Sequence, residues 1–312
     1  MITTVTLNTA VDAVAELPRL DWGGVNRAQT CLTFPGGKGV NVAKAVAELG
    51  GEVVATGFVG VGAMGRFVLQ GLAERGIECD FVVLPGDTRL TFLLYDLARG
   101  QETVVNNPAA YEVTPSDLEA LCARLRDLAA RSRFVVFSGS LAQGCPADTY
   151  AELTRLVQAA GARAVLDTSE EALRQGLGGQ PYLVKPTVRE LGMVFDGRFD
   201  TEAQMLRAAG ELQERGIEAV VVSRGAKGAL ARFGDQTLRA PSVATDVVSP
   251  IGAGDAMLGG IVLGLERGLS PPEALALGTG AAASSLRRHG AAHCLREEAE
   301  ALAQQVEVAP LA

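Results

Sequence analysis

What most constrains the fold of this chain is a recurrence of short, continuously apolar runs set between helical stretches. Val53–Val59, Phe134–Phe137, Ala164–Leu166, Tyr182–Val184 and Ala219–Ser223 each read as a strand. Helices are expected at Asn41–Leu49, Gly65–Arg75, Ala147–Ala160, from about Val188, and at Glu202–Arg215, Asp255–Arg267 and Pro272–Leu286. A strand that is apolar at every position is covered on both faces. With helices between such strands, the pattern predicts an α/β fold: a doubly wound, mainly parallel sheet with helices on both faces. Right-handed crossovers then bring the strand C-terminal ends, and any ligand, to one edge.

Residues 11–33 and 88–107 break this rhythm. Thr91–Leu97 and the chain around Asn26–Phe34 are strand-like, and are expected to form either a small separate β layer over the sheet edge or two hairpins of the main sheet. No internal repeat or low-complexity linker divides the 312 residues, so a single domain, 1–312, carrying that layer is expected. The tail Val306–Ala312 reads as surface.

The net charge of −8 argues against a general nucleic-acid binder, but not against a small anionic ligand met by a few placed cations. With 2 His, His-rich metal sites are excluded as a class. The N-terminus shows no signal-peptide pattern, and the longest apolar run, Ala256–Leu265, is too short to cross a bilayer. The scattered Cys31, Cys79, Cys122, Cys145 and Cys294 read as reduced thiols of a cytoplasmic protein.

The strongest chemical signal is Gly252-Ala253-Gly254-Asp255 ahead of an apolar helix. The glycines permit a tight turn that aims backbone N–H groups at an anion, and Asp255 in the first helical turn faces the same place. A carboxylate there can accept a hydroxyl proton during phosphoryl transfer, where positioning and charge stabilisation dominate; a helix cap is the alternative. Phe34-Pro35-Gly36-Gly37-Lys38-Gly39-Val40-Asn41 is a second Gly-rich loop opening a helix. It lacks the Ser/Thr of a Walker A loop. Asn41 could bind hydroxyls and Lys38 an anion, or the segment is a tight turn with a solvated Lys.

Gly60-Val61-Gly62-Ala63-Met64-Gly65 matches a dinucleotide-binding pattern, with Asp80 and Asp87 at a distance suited to a ribose carboxylate. It is not in the first βα unit, and a structural turn is the favoured reading. Ser223-Arg224-Gly225-Ala226-Lys227-Gly228 ends a strand, as a nucleotide-contacting turn or a hairpin. Lys185 could meet a phosphate, and Glu190 could hold magnesium or serve the helix dipole. Asp12 suits sugar hydroxyls or ends a strand; Arg89 suits a phosphate or lies on an exposed edge.

Taken in order, Asn8-x-Ala-x-Asp12, Gly24-Val-Asn-Arg27, Pro35-Gly-Gly-Lys-Gly-Val-Asn41, Thr88-Arg89, Ser138-Gly-Ser140, Asp167-Thr-Ser, Lys185-Pro-x-x-x-Glu190, Ser223-x-Gly-Ala-x-Gly228 and Gly252-Ala-Gly-Asp255 make the chain resemble the ribokinase-like carbohydrate kinases. The nearer branch is that of 1-phosphofructokinases and tagatose-6-phosphate kinases. The resemblance runs from Val5 to about Leu286.

It implies a ribokinase-like fold with a β lid made from the two odd segments, and a homodimer formed through that lid. It implies ATP and Mg2+ as cofactors and a sugar phosphate as substrate, with fructose 1-phosphate converted to fructose 1,6-bisphosphate. Asp255 matches the catalytic base and Gly252, Ala253 and Gly254 the anion hole. Ser223, Gly225, Gly228 and Lys185 match ATP contacts, and Glu190 a magnesium position. Asp12, Gly37, Asn41 and Ser138 match sugar positions, and Arg89, then Arg27 and Lys38, would hold the substrate's phosphate. Thr9, Thr91, Val104, Asn107, Ala142 and Thr187 depart from the family pattern, mostly on the sugar side. Kinases of tagatose 6-phosphate, fructose 6-phosphate or an unphosphorylated sugar are alternatives. So is a sensor that binds without turnover, against which the intact Gly-Ala-Gly-Asp argues.

Overall fold

The computed structural model describes residues 1–311. The chain opens with strands β1 (Ile2–Thr6), β2 (Ala10–Leu17) and β3 (Thr30–Gly36), helix α1 (Lys38–Glu48), β4 (Val53–Gly60), α2 (Ala63–Ala73), β5 (Glu78–Leu84), β6 (Arg89–Asp96) and β7 (Gln101–Asn106). It continues with α3 (Pro115–Arg131), β8 (Phe134–Ser138), α4 (Thr149–Ala159), β9 (Arg163–Asp167), α5 (Glu170–Gly176), β10 (Leu183–Val184), α6 (Val188–Val194) and α7 (Glu202–Glu214). It ends with β11 (Ala219–Ser223), β12 (Ala229–Phe233), β13 (Gln236–Ala240), α8 (Ala253–Glu266), α9 (Pro271–Leu286), α10 (Arg296–Ala303) and β14 (Ala309–Pro310).

The large sheet has ten strands in the order β14-β13-β12-β11-β10-β9-β8-β1-β4-β5. From β11 to β5 every neighbouring pair is parallel. The continuous apolar runs have the cause expected of them: Phe134 and Val136 point into one core, Val135 and Phe137 into another, and Ala219/Val221 and Val220/Val222 divide the same way. The first core also takes in residues of α1, α8 and α9; the second takes in residues of α3, α4 and α7.

β1 has β4 on one side and β8 on the other, so the strand order reverses there. This switch point is where an open α/β sheet leaves a crevice beyond its strand ends.

The two irregular segments form a separate four-stranded sheet, β3-β2-β6-β7, with β2 and β6 parallel. They are not hairpins of the main sheet. β3 begins at Thr30 rather than near Asn26, because Asn26 closes an exposed turn: its side chain accepts from the Asp21 N–H (2.8 Å) and donates to the Asp21 carbonyl (2.9 Å).

Four helix starts differ from expectation by two residues or more: α4 begins at Thr149 rather than Ala147, α8 at Ala253 rather than Asp255, and α1 and α2 also begin earlier. α1 begins at Lys38, since Gly37 turns the chain at φ 101°. α2 begins at Ala63, since the Asp87 carboxylate accepts from the Met64 and Gly65 N–H groups (3.0 and 3.2 Å). The tail is more than surface: Ala309–Pro310 pairs with β13 as an edge strand. Ala312 lies outside the described residues.

Candidate active site

The site is assembled at the switch point by two helix N-termini. α1 lies directly on β1, because a Cβ at Gly39 would stand 2.3 Å from Thr6 Oγ1 and 2.7 Å from the Val5 carbonyl. α8 lies against α1, because a Cβ at Gly259 would stand 2.9 Å from the Ala45 Cβ. Glycine at both places lets the backbones close up, and the two first turns then face each other. Asn41 Nδ2 of α1 donates to Asp255 Oδ2 of α8 at 2.8 Å, with both side chains buried.

The turn into α8 depends on Gly252, which takes the left-handed conformation (φ 74°) where a Cβ would lie 2.3 Å from the Ala292 N. Among the described residues, the N–H groups of Gly254 and Asp255 have no backbone acceptor. Free N–H groups and the positive end of the helix dipole therefore look into the crevice beside a carboxylate.

Charges are interleaved around that point. Burial is the main cause that pushes the Asp255 carboxyl up to about 6; Asp167 adds to it, while Lys38, Asn41 and Lys185 oppose it. Asp167, at the end of β9, is buried between two ammonium groups, with Lys185 Nζ at 3.3 Å and Lys38 Nζ at 3.9 Å. The Asp167 carboxylate holds the Lys38 pKa above its ordinary value.

Deeper in the small sheet, burial raises the Asp12 carboxyl, against the pull of Lys44 and Arg89. Lys44 is fully enclosed and donates to the Pro35 carbonyl at 2.8 Å; burial pushes it down to about 8. Arg89 donates to Thr91 Oγ1 (3.0 Å), Asn106 Oδ1 (3.1 Å) and the Asn8 carbonyl (3.4 Å). No carboxylate among the described residues lies within ion-pair distance of it.

Two clefts meet at this point. The larger, about 780 Å3, includes Ser223, Gly225, Gly228, Thr245, Ala253 and Gly254 in its lining. The smaller, about 360 Å3, is lined by Asp12, Gly37, Lys38, Asn41, Arg89, Lys185 and Asp255, with Leu93, Glu102, Val104 and Asn106 of the small sheet as its roof. Gly254, Thr187 and Ser223 border both.

Most residues singled out in the sequence line one cleft or the other; Arg27, Ser138 and Glu190 do not. Arg27 lies in an exposed loop and lines neither cleft. Ser138 is fully buried behind the site with its hydroxyl unpartnered. Lys185 faces the smaller cleft, not the larger. Glu190 lines neither cleft, and its Oε2 accepts from the Thr187 N–H (2.8 Å) and hydroxyl (3.0 Å) in a capping box.

The Ser223–Gly228 segment is the turn of the β11–β12 hairpin and also walls the larger cleft. Gly60–Gly65 is a structural turn, its helix N-terminus already occupied by Asp87. Asp80 pairs instead with Arg124 at 3.2 Å. Sequence reasoning gave Asp167 no role beyond its place in the Asp167-Thr-Ser motif, and missed Glu102 and Leu93, whose only signal was position on a strand.

The chain belongs to the pfkB family of carbohydrate kinases: residues 5–298 match that family's profile. It is thereby an ATP-dependent sugar kinase, as its ordered motifs implied. The 1-phosphofructokinase of Rhodobacter capsulatus is 38% identical over 312 residues, covering 99% of this chain and 98% of the relative. That of Haemophilus influenzae is 35% identical over 283 residues, covering 90% of each. Among solved structures, phosphofructokinase-2 from Escherichia coli in complex with substrates and products is similar with a TM-score of 0.91 at 27% identity, covering 97% of this chain and 98% of that one.

Proposed function

We propose that the protein is a 1-phosphofructokinase, transferring the γ-phosphoryl group of ATP to the 6-hydroxyl of fructose 1-phosphate to give fructose 1,6-bisphosphate and ADP. The observation that carries the substrate class is Arg89. A guanidinium aimed into the smaller cleft, steadied by Thr91 and Asn106 and lacking a carboxylate partner among the described residues, suits a phosphate dianion. Lys38, lining the same cleft, supplies a second positive charge.

In this reading the sugar fills the smaller cleft, its hydroxyls on Asp12 and Asn41, and ATP fills the larger. The acceptor hydroxyl rests on Asp255, which is ionised at neutral pH with a carboxyl titrating at about 6. The hydroxyl oxygen attacks the γ-phosphorus as its proton passes to Asp255, and the bond to the ADP oxygen breaks. The free amides of Gly254 and Asp255, with Lys38 and Lys185, take up the negative charge spreading over the equatorial oxygens.

Magnesium fits this donor set only as an ion carried by the nucleotide. No group of three or more His, Cys, Asp or Glu among the described residues could hold one. Glu190 would act on it through water, and its contribution is charge neutralisation on the phosphates.

We also propose a homodimer paired through the small sheet, on whose outer face Phe92 and Val105 lie opposite each other and exposed. A cytoplasmic setting accords with the free state of all five cysteines and with no helix among the described residues being long and apolar enough to cross a membrane.

The test is an ADP-release panel over fructose, fructose 1-phosphate, fructose 6-phosphate and tagatose 6-phosphate, with Asp255→Asn as control. Fructose 1-phosphate is expected to give the highest kcat/KM and Asp255→Asn to lose most turnover; preference for an unphosphorylated sugar would overturn the reading. Arg89→Ala is expected to raise KM for the sugar phosphate by roughly ten- to a hundredfold, the scale of a charged hydrogen bond, while KM for ATP stays within about twofold. Equal small effects on both would remove Arg89 from the sugar side.

A further inference from the structure

Three contacts fasten the small sheet to the large domain near the Gly252 turn. Glu16 of β2 meets His289 at 3.2 Å, and Phe34 of β3 packs on Gly290, where a Cβ would stand 3.0 Å from its ring. The third is the hydroxyl of Tyr95 in β6, 2.7 Å from Ser249 Oγ, and this one touches the turn itself.

Ser249 is buried, and its backbone is fixed from behind: the N–H groups of Val248 and Ser249 both donate to the Leu286 carbonyl, at 2.7 and 3.1 Å. Its Oγ accepts from the Ile251 N–H at 3.3 Å. Ile251 is the residue immediately before Gly252. One hydroxyl oxygen therefore joins the lid to the shape of the turn. Tyr95 stands on the same face of β6 as Thr91 and Leu93, which roof the smaller cleft, and directly opposite Glu102, which lines it too. Burial pushes the Tyr95 hydroxyl up to about 12, so it keeps its proton at any working pH.

We propose that Tyr95 is a positioning residue for phosphoryl transfer: through Ser249 it holds the Pro250–Gly254 turn with its amides facing the transferring group, and so ties that shape to the seating of the lid over the sugar. The proposal rests on the reading of this turn as the anion hole. Tyr95 lines neither cleft; it acts through the turn. Its effect belongs in kcat rather than in ATP binding, because the turn's amides are used most when charge develops on the phosphoryl oxygens.

The test removes one atom from the full chain, Tyr95→Phe, and measures amide hydrogen exchange and steady-state kinetics together. Exchange in the segment 250–255 is expected to rise several-fold while the central strands of the large sheet keep their protection. With sugar and ATP, kcat is expected to fall roughly three- to tenfold, the scale of one neutral hydrogen bond, with KM for ATP within about twofold. In a Ser249→Ala background Tyr95→Phe should add nothing further. Unchanged exchange at 250–255, or a full additional loss in the Ser249→Ala background, would overturn the role of Tyr95. The exchange measurement needs no substrate, so it judges Tyr95 separately from the sugar assignment, which the ADP-release panel judges.

Discussion

Asp255 carries two opposed demands. Its carboxyl is buried at the head of α8, which raises its pKa from 3.8 to about 6. A carboxyl whose folded pKa lies above the unfolded value stabilises the fold fully only below the unfolded value, and that contribution is lost as pH rises through the folded one. At neutral pH the ionised group is therefore a cost to stability, borne for reactivity. Asp255→Asn is expected to melt at a higher temperature than the native chain above about pH 6, with the gap closing towards pH 4. Thermal melts from pH 4 to 8 measure it; a lower melting temperature for the variant at pH 8 would contradict the electrostatic account. Asp255 was legible in the sequence because two glycines and an acid at a helix start have few structural uses. Its partners were not: Asn41 lies 214 residues away, and Asp167 reaches the two lysines only through the parallel pairing of β8, β9 and β10.

Among the elements, the strands buried on both faces announced themselves, since continuous apolarity has one common cause. Helix beginnings were less legible: a group distant in sequence, Asp87, starts α2, and the conformation of the neighbouring Gly37 starts α1. The small sheet was visible as a break in rhythm, but its pairing was not, because β2 and β6 meet in parallel across a long stretch of intervening chain. The β12–β13 hairpin that widens the large sheet also left no signal that was read. The turn into α8 offers the test at this scale. At Gly252 an alanine would be strained in φ and would press on the Ala292 N. Gly252→Ala is expected to lower unfolding stability by about 1–3 kcal/mol. It is also expected to reduce kcat by more than tenfold, as read by urea unfolding and ADP release. Native kcat in a folded variant would show that the turn's shape is not used in the reaction.

For the whole molecule, the reversal of strand order at β1 brings the distant pieces to one place. It leaves a crevice beyond the strand ends, which residues of α1, α8, the small sheet and the ends of β9 and β11 line. The resulting clefts share a border at Gly254, with Asp255 on the smaller side. The net charge of −8 says little about the ligand, since the site opposes anions with Lys38, Arg89, Lys185 and backbone amides. The measurement that bears most directly on this arrangement is 31P NMR of the protein turning over fructose 1-phosphate with ATP. The account predicts a second sugar phosphomonoester, at carbon 6, growing one for one with ADP in the native chain and absent with Asp255→Asn. ADP accompanied only by inorganic phosphate, or a bisphosphate formed equally well by Asp255→Asn, would contradict it.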